Sequence, residues 1–178
     1  MPIFRADCSK CCGLCCVAPD LLAVQGFGVD KPAEKPCVHL NAHQRCSIHA
    51  TRESHGYAAC GGFDCFGAGQ WITQRLFGGA KWTDSPDLAS RMFAAYRHWA
   101  PRFAAAALLE AALPYVREDA RCSLARMMTE LTSGEAAAHL NAGDAARLRR
   151  ETLAVIRASL KIECRCRART ASTSVGLD

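Results

Sequence analysis

Residues 8–16 read Cys-Ser-Lys-Cys-Cys-Gly-Leu-Cys-Cys, five thiols in nine positions, and this stretch decides how the front of the chain holds together. Close spacing on a turning backbone lets several sulfurs converge, as a metal ion or an iron–sulfur cluster requires. Cys37, Cys46, Cys60 and Cys65 then arrive from separate loops, so nine of the twelve cysteines lie within residues 8–65. Cys122, Cys164 and Cys166 complete the set.

From residue 1 to about 66 neither a helical nor a strand period is sustained. Gly-Phe-Gly at 26–28, Lys-Pro at 31–32 and 35–36, and Gly-Gly at 61–62 punctuate the chain, and large aliphatic residues are few. Below about 70–80 residues, burial seldom outweighs ordering entropy by much. The staple must therefore come from the cysteines.

Three chemistries compete for them. Disulfides suit a secreted chain, but Met1–Asp7 (MPIFRAD) lacks the apolar stretch of an export signal, and a cytoplasmic location, which we expect, keeps thiols reduced. Structural zinc accepts the pairs Cys8/Cys11 and Cys12/Cys15, and eight thiolates would make two tetrahedral sites. An iron–sulfur cluster also takes four thiolates and favours small residues that let backbone N–H groups approach sulfur. Gly61-Gly62 and Gly67-Ala68-Gly69 flank Cys60 and Cys65 in that manner, and Phe63 and Phe66 offer a dry wall. Spacing alone does not choose between the two metals. A centre shared by Cys8, Cys11, Cys37 and Cys65 would draw their sulfurs within a few ångströms of one another.

After residue 66 the pattern turns helical. Gly69–Phe77 reads as a short helix closed by Gly78-Gly79. Ser85 reads as an N-cap with Pro86 in the first turn, and Leu88, Met92, Tyr96 and Trp99 follow at helical spacing. Pro101 is expected to break or kink that helix, with Phe103–Leu113 as a second piece. Leu124, Met127, Met128 and Leu131 form the stripe of another helix. Asp144 would cap a last one, with Leu148, Leu153, Ile156 and Leu160 inward. The expected architecture is mainly α: a loop-rich, cysteine-ligated module (1–66) packed on a helical bundle (67–165), with a disordered tail (166–178).

Half of the residues are apolar and 22% are charged, which argues against disorder. The longest apolar run, Phe103–Leu109, is too short for a membrane span. The net charge of +5 belongs to residues 67–178, a mild excess that aids solubility. With aromatics at 7% there is no dense basic patch interleaved with stacking rings, so nucleic-acid binding is not expected.

Cys8-x2-Cys11-x3-Cys15-Cys16, with Pro36-Cys37-Val38-His39-Leu40 and Arg45-Cys46-Ser47-Ile48-His49, resembles the YkgJ-type cysteine-cluster proteins, described as zinc- or iron-chelating domains with a CxxCxxCC opening. Gly13–Pro19, Asp30–Cys37 and Asp64–Gln70 are similar to segments at the N-terminus of some actinobacterial pentapeptide-repeat proteins. The resemblance covers about residues 8–75. It departs at the x3 spacing before Cys15 and at Arg52-Glu53, where the family has Arg-Pro, and no pentapeptide repeat follows. Related clusters occur in flagellin lysine methylases, where the likeness implies iron–sulfur chemistry. Carried over residue by residue, the resemblance implies Cys8, Cys11, Cys15, Cys16, Cys37, Cys46, Cys60 and Cys65 as metal ligands, with Cys12 the spare. Because successive side chains diverge, Cys15 and Cys16 are expected to serve two centres unless one is not a ligand. The function so implied is metal binding through an iron–sulfur cluster, in electron transfer, redox sensing or support of a partner enzyme. The alternative is a structural zinc module that presents a surface to a protein partner.

Other residues carry blander readings. His39, His43, His49 and His55 lie among the later cysteines and read as loop histidines, with His39 and His49 the first candidates for a ligand. Cys46 with His49 lacks the third residue of a nucleophilic constellation. Asp64, Glu53 and His55 are the candidate acid–base groups for an enzymatic role. Gly67–Gln70 lacks the Gly-Lys-Ser/Thr of a phosphate loop and reads as a tight approach to the metal site. Cys122 reads as a partly buried small residue, Cys164-Arg-Cys166 as part of a solvated tail, and Arg147, Arg149 and Arg150 as a solvated helix face.

Overall fold

The computed structural model of the protein describes residues 4–133 and 142–160. The fold is mainly helical, and no strand forms among the described residues beyond three isolated bridges. Among the described residues, five α-helices follow a front segment of short 3₁₀ turns: α1 (Ala58–Gly62), α2 (Ala68–Trp71), α3 (Pro86–Ala112), α4 (Glu118–Thr132) and α5 (Ala142–Ser159). A wide π turn, Ile72–Leu76, prolongs α2. The tail after residue 160, with Cys164 and Cys166, lies outside the described residues.

The longest helix, α3, is the spine. The Ser85 side chain accepts from the Leu88 N–H at 3.2 Å, and Pro86 occupies the first turn, where its missing N–H costs nothing. The expected break at Pro101 does not occur; α3 runs through it for 27 residues. An interior proline costs a helix about 3 kcal/mol. Against that, Met92, Phe93, Tyr96 and Trp99 are buried before it and Phe103, Ala106 and Leu109 after it. Each large side chain so buried stabilises by about 1.5–3 kcal/mol, so packing on both halves outweighs the local penalty. The Arg102 guanidinium also donates to the His98 carbonyl at 3.1 Å, in the turn that the proline disturbs.

Helices α4 and α5 pack on α3. Leu124 and Met128 are buried and Met127 and Leu131 half-buried, as the stripe predicts. The end of α5 is pinned beside the start of α4: the Arg117 N–H donates to the Ser159 carbonyl at 3.0 Å, and Arg117 Nη1 donates to the Ala158 carbonyl at 3.0 Å. Asp144 is not the cap of α5. It sits inside the first turn and pairs with Arg147 at 3.1 Å. Cys122 is exposed rather than partly buried.

Residues 4–66 share one apolar core with the helices. Phe4, Cys12, Leu14, Val17 and Ala18 join Ala68, Ile72, Met92, Tyr96 and Trp99 in a single buried cluster. Polar stitches hold the front loop on α2. Gln70 Nε2 donates to the Arg5 carbonyl at 3.1 Å while its Oε1 accepts from the Asp7 N–H, and Gln74 Nε2 donates to the Lys10 carbonyl at 2.9 Å. These bonds bracket Cys8 and set its loop against the helix that follows Cys65.

Candidate metal centre

The first cysteines are presented by two tight turns. Cys8–Lys10 forms a 3₁₀ turn capped by Asp7, whose carboxylate accepts the Ser9 N–H at 2.9 Å. Leu14–Cys16 forms another, entered through Gly13 at φ +73°. A Cβ at Gly13 would stand 2.9 Å from Leu40 Cδ1 and 3.0 Å from the Gln44 carbonyl oxygen, so both the backbone angle and the space require glycine. The reversal points Leu14 and Val17 into the core and brings Cys15 and Cys16 to the cavity, Cys15 still packed against the core.

Cys8, Cys11, Cys15, Cys16, Cys37, Cys46, Cys60 and Cys65 all line one cavity of about 1110 Å³. Cys12 does not. It is 2% exposed and turned into the core, where its sulfur lies 3.4 Å from Thr73 Oγ1 and its carbonyl accepts Trp82 Nε1–H at 2.9 Å. The ten described cysteines are all free thiols.

The eight sulfurs are distributed around the cavity wall. Among the described residues, no three Cys, His, Asp or Glu side chains close on one point as they do around a single bound ion. Cys37 stands apart from the grouping expected with Cys8, Cys11 and Cys65. Its N–H donates to the Cys16 carbonyl at 2.9 Å, and it lies in electrostatic reach of Cys46 and Cys60. The reason is the hairpin-like loop 37–47, closed by the Leu40–Cys46 bridge and by Asn41 N–H to the Arg45 carbonyl at 2.9 Å, which carries Cys37 and Cys46 together.

Cys11 and Cys65 meet over Gly69. A Cβ on that glycine would stand 2.7 Å from Cys11 Sγ and 3.8 Å from Cys65 Sγ, so the bare backbone of α2 forms a cradle under both sulfurs. Burial pushes the Cys11 thiol up to about 11, and it also raises Cys8, Cys46 and Cys60. The Cys15 and Cys16 sulfurs lie 3.8 Å apart, within hydrogen-bonding reach: that contact raises Cys15 and lowers Cys16, with Lys31 and Arg52 also lowering Cys16. A cation entering this cavity must expel those protons, because the thiolate is the ligand.

His39 and His49 also line the cavity, His39 with its ring 4.9 Å from that of Tyr57. His55 bonds through Nδ1 to the Thr51 carbonyl at 2.8 Å. Glu53 and Asp64 are exposed, and Asp64 accepts the Phe66 N–H at 2.6 Å, the role of a turn residue. Phe63 stands 46% exposed at the cavity, so the dry wall expected there is incomplete on that side.

Known proteins resemble this chain in part. Over 88 residues it is 41% identical to the uncharacterized protein YybG of Bacillus subtilis (strain 168), a match covering 49% of the chain and 32% of YybG. It is 42% identical over 43 residues to the UPF0153 protein YeiW of Escherichia coli (strain K12), covering 24% of the chain and 51% of YeiW. A UPF0153 protein of Vibrio cholerae is 36% identical over 59 residues, which span 30% of this chain and 72% of that relative. The chain belongs to the UPF0153 family. Its matches span about a third of YybG and half of YeiW. No family model matches the chain, and no solved structure does.

Three residues of this UPF0153 chain that the sequence pattern did not single out shape the site. Lys31 is 6% exposed, and its ammonium donates to the carbonyls of Val17 (3.2 Å), Pro32 (3.0 Å), Lys35 (2.9 Å) and Pro19. It clamps the loop that follows Cys16 to the loop that precedes Cys37. Arg45 donates to the carbonyls of Cys11 and Ser9, tying the loop before Cys46 to the first cysteine turns. Tyr96, at 4% exposure, has a hydroxyl with no hydrogen-bond partner among the described residues, and it lies in electrostatic reach of Cys15, Cys65, Cys11 and, last, Cys16. Buried polar groups are rarely left without a partner, and these cysteines are the groups beside it.

Lys31→Met is expected to destabilise the fold by about 1–3 kcal/mol, because it removes the donor shared by four carbonyls, that of Val17 buried and the others part-buried. Denaturant unfolding checks this. A change within about 0.5 kcal/mol, the range of ordinary surface substitutions, would show that the clamp contributes nothing.

Proposed function

We propose that this chain is a metal-binding protein whose cysteines hold an iron–sulfur cluster, in electron transfer, redox sensing or support of a partner enzyme. The observation that carries this is the cavity of about 1110 Å³ with eight thiols spread around its wall. Zinc bound by sulfur at about 2.3 Å draws its ligands to a point. A cluster is a larger body gripped from its corners by thiolates that stand further apart. The Gly69 cradle and the unpartnered Tyr96 hydroxyl add support, since close backbone and hydrogen bonds to sulfur are means by which a protein tunes such a group. The likeness to YkgJ-type proteins, pentapeptide-repeat N-terminal modules and flagellin lysine methylases points the same way.

When bound, the group supplies one-electron redox chemistry. The chain's own residues do the rest. Cys11 and Cys15 face the cavity from the buried side, Lys31, Arg45 and Arg52 offset thiolate charge, and the Tyr96 hydroxyl stands unpartnered beside them. Phe63 and His49 stand where the cavity opens to solvent, the side from which a partner would approach.

A structural zinc module presenting a surface to a protein partner is the second reading. It is favoured by the apolar side chains that the cysteine-bearing segment leaves exposed, Val24 at 91%, Val38 at 76% and Phe63 at 46%. Anaerobic isolation followed by metal and sulfide analysis separates the two. We expect iron and acid-labile sulfide in matched amounts. A colourless protein with stoichiometric zinc, no labile sulfide and no response to redox titration would establish the second reading instead.

A further inference from the structure

We infer that the eight cavity thiolates make two separate four-thiolate centres, a helix-side one held by Cys8, Cys11, Cys15 and Cys65 and a loop-side one held by Cys16, Cys37, Cys46 and Cys60. This rests on the metal-binding reading above and goes beyond it, because a single cavity with eight thiols would also suit one centre with spare ligands.

Backbone contacts draw the division. On the helix side, the Cys11 N–H donates to the Cys8 carbonyl at 3.3 Å, which fixes those two at the ends of one turn. The Ala68 N–H donates to the Cys65 carbonyl at 2.9 Å, which holds Cys65 at the start of α2. Gly69, one turn further, lies under the sulfurs of both Cys11 and Cys65. Cys15 is in electrostatic reach of Cys11 and Cys65, and the Tyr96 hydroxyl is in reach of the same three ahead of Cys16.

The loop side has its own frame. The Cys37 N–H donates to the Cys16 carbonyl at 2.9 Å, and the Leu40–Cys46 bridge folds Cys46 back toward Cys37. His39 packs its ring on Tyr57, the residue immediately before α1, and α1 carries Cys60. Cys60 accordingly feels Cys16, Cys37 and Cys46.

Cys15 and Cys16 form the joint, and Cys8 also feels Cys16 across it. Their 3.8 Å separation is about the edge of a tetrahedron built on metal–sulfur bonds of about 2.3 Å, so distance alone would let them share one ion. Their other neighbours differ: Cys15 packs against the core and is in reach of Cys11 and Cys65, whereas the Cys16 carbonyl holds Cys37 and its sulfur is in reach of Cys46, Cys60 and Lys31, with Tyr96 in reach of both.

Metal and sulfide counting on the full chain, isolated anaerobically, tests the division. The unaltered chain is expected to carry two centres, as two zinc ions or as the iron and sulfide of two clusters. Cys11→Ser and Cys46→Ser should each remove half of that content. Cys11→Ser with Cys65→Ser should remove no more than Cys11→Ser alone, whereas Cys11→Ser with Cys46→Ser should empty the chain. One centre per unaltered chain, or a single substitution that removes everything, overturns the inference while leaving metal binding intact. An unaltered chain with no metal overturns the metal-binding reading itself.

Discussion

On the metal-binding reading, stripping the metal with a strong chelator is expected to abolish amide-exchange protection through residues 8–66 while α4, α5 and the second half of α3 stay protected. The front segment has little else to hold it. Its regular structure is four 3₁₀ turns, the five residues of α1 and two isolated bridges. Its buried apolar side chains are few, chiefly Leu14, Val17, Ala18, Leu21 and Tyr57. Structural thiolate sites supply about 10–16 kcal/mol of apparent binding energy at neutral pH, and where no site exists in the unfolded chain that energy is folding energy. Its loss should raise exchange in the cysteine turns and in loop 37–47 by about a hundredfold or more, since a hundredfold corresponds to less than about 3 kcal/mol. The helices should persist because Phe103, Ala106, Leu109, Leu124 and Met128 are buried against one another. Hydrogen exchange resolved by residue, with and without chelator, makes the comparison. Protection that survives chelation would mean that the metal does not hold the front segment. Protection lost uniformly to the end of α5 would mean that there is no separable helical part.

The helices were legible because their signals are local. Ser85-Pro86 announces a cap, and the Leu124–Leu131 stripe announces a buried face; both depend on neighbours within about two turns. Pro101 was misread for the complementary reason. Its penalty is local, but the burial of Trp99 and Phe103 that outweighs it depends on α2, α4 and α5 being in place. Asp144 fails in the same way, as a good capping residue that the helix simply overran.

The eight cysteines that line the cavity are those the family resemblance implies as ligands. Their grouping was not legible in the sequence. It depends on the fold bringing loop 37–47 to Cys16 and α2 to Cys11, which no spacing encodes. Lys31 was invisible because its partners are carbonyls, which every residue has. Tyr96 reads as one more apolar position in a helical stripe, and only its depth and the nearby sulfurs give its hydroxyl a role.

Gly69→Ala is the smallest substitution expected to cost the protein a metal centre. On helix propensity alone it should help, because alanine is favoured over glycine in a helix by about 1 kcal/mol, and Gly69 lies within α2 without a left-handed backbone. The added Cβ would stand 2.7 Å from Cys11 Sγ, closer than real Cβ atoms come to any neighbour. In the metal-free chain the conflict is mild, since Cys11 borders the cavity and can swing into it. The stability of metal-free protein should therefore change by less than about 1 kcal/mol. In the metal-bound chain Cys11 has no such freedom, because a ligand displaced by about an ångström from its bond is no longer a ligand. On the two-centre inference, metal content should fall by about half, with the loss confined to the helix-side centre, and the denaturation midpoint of the loaded protein should drop accordingly. A variant that keeps its full metal content would show that Cys11 does not bind metal over α2. If the metal-free form alone were destabilised by several kcal/mol, the glycine would be serving packing rather than coordination.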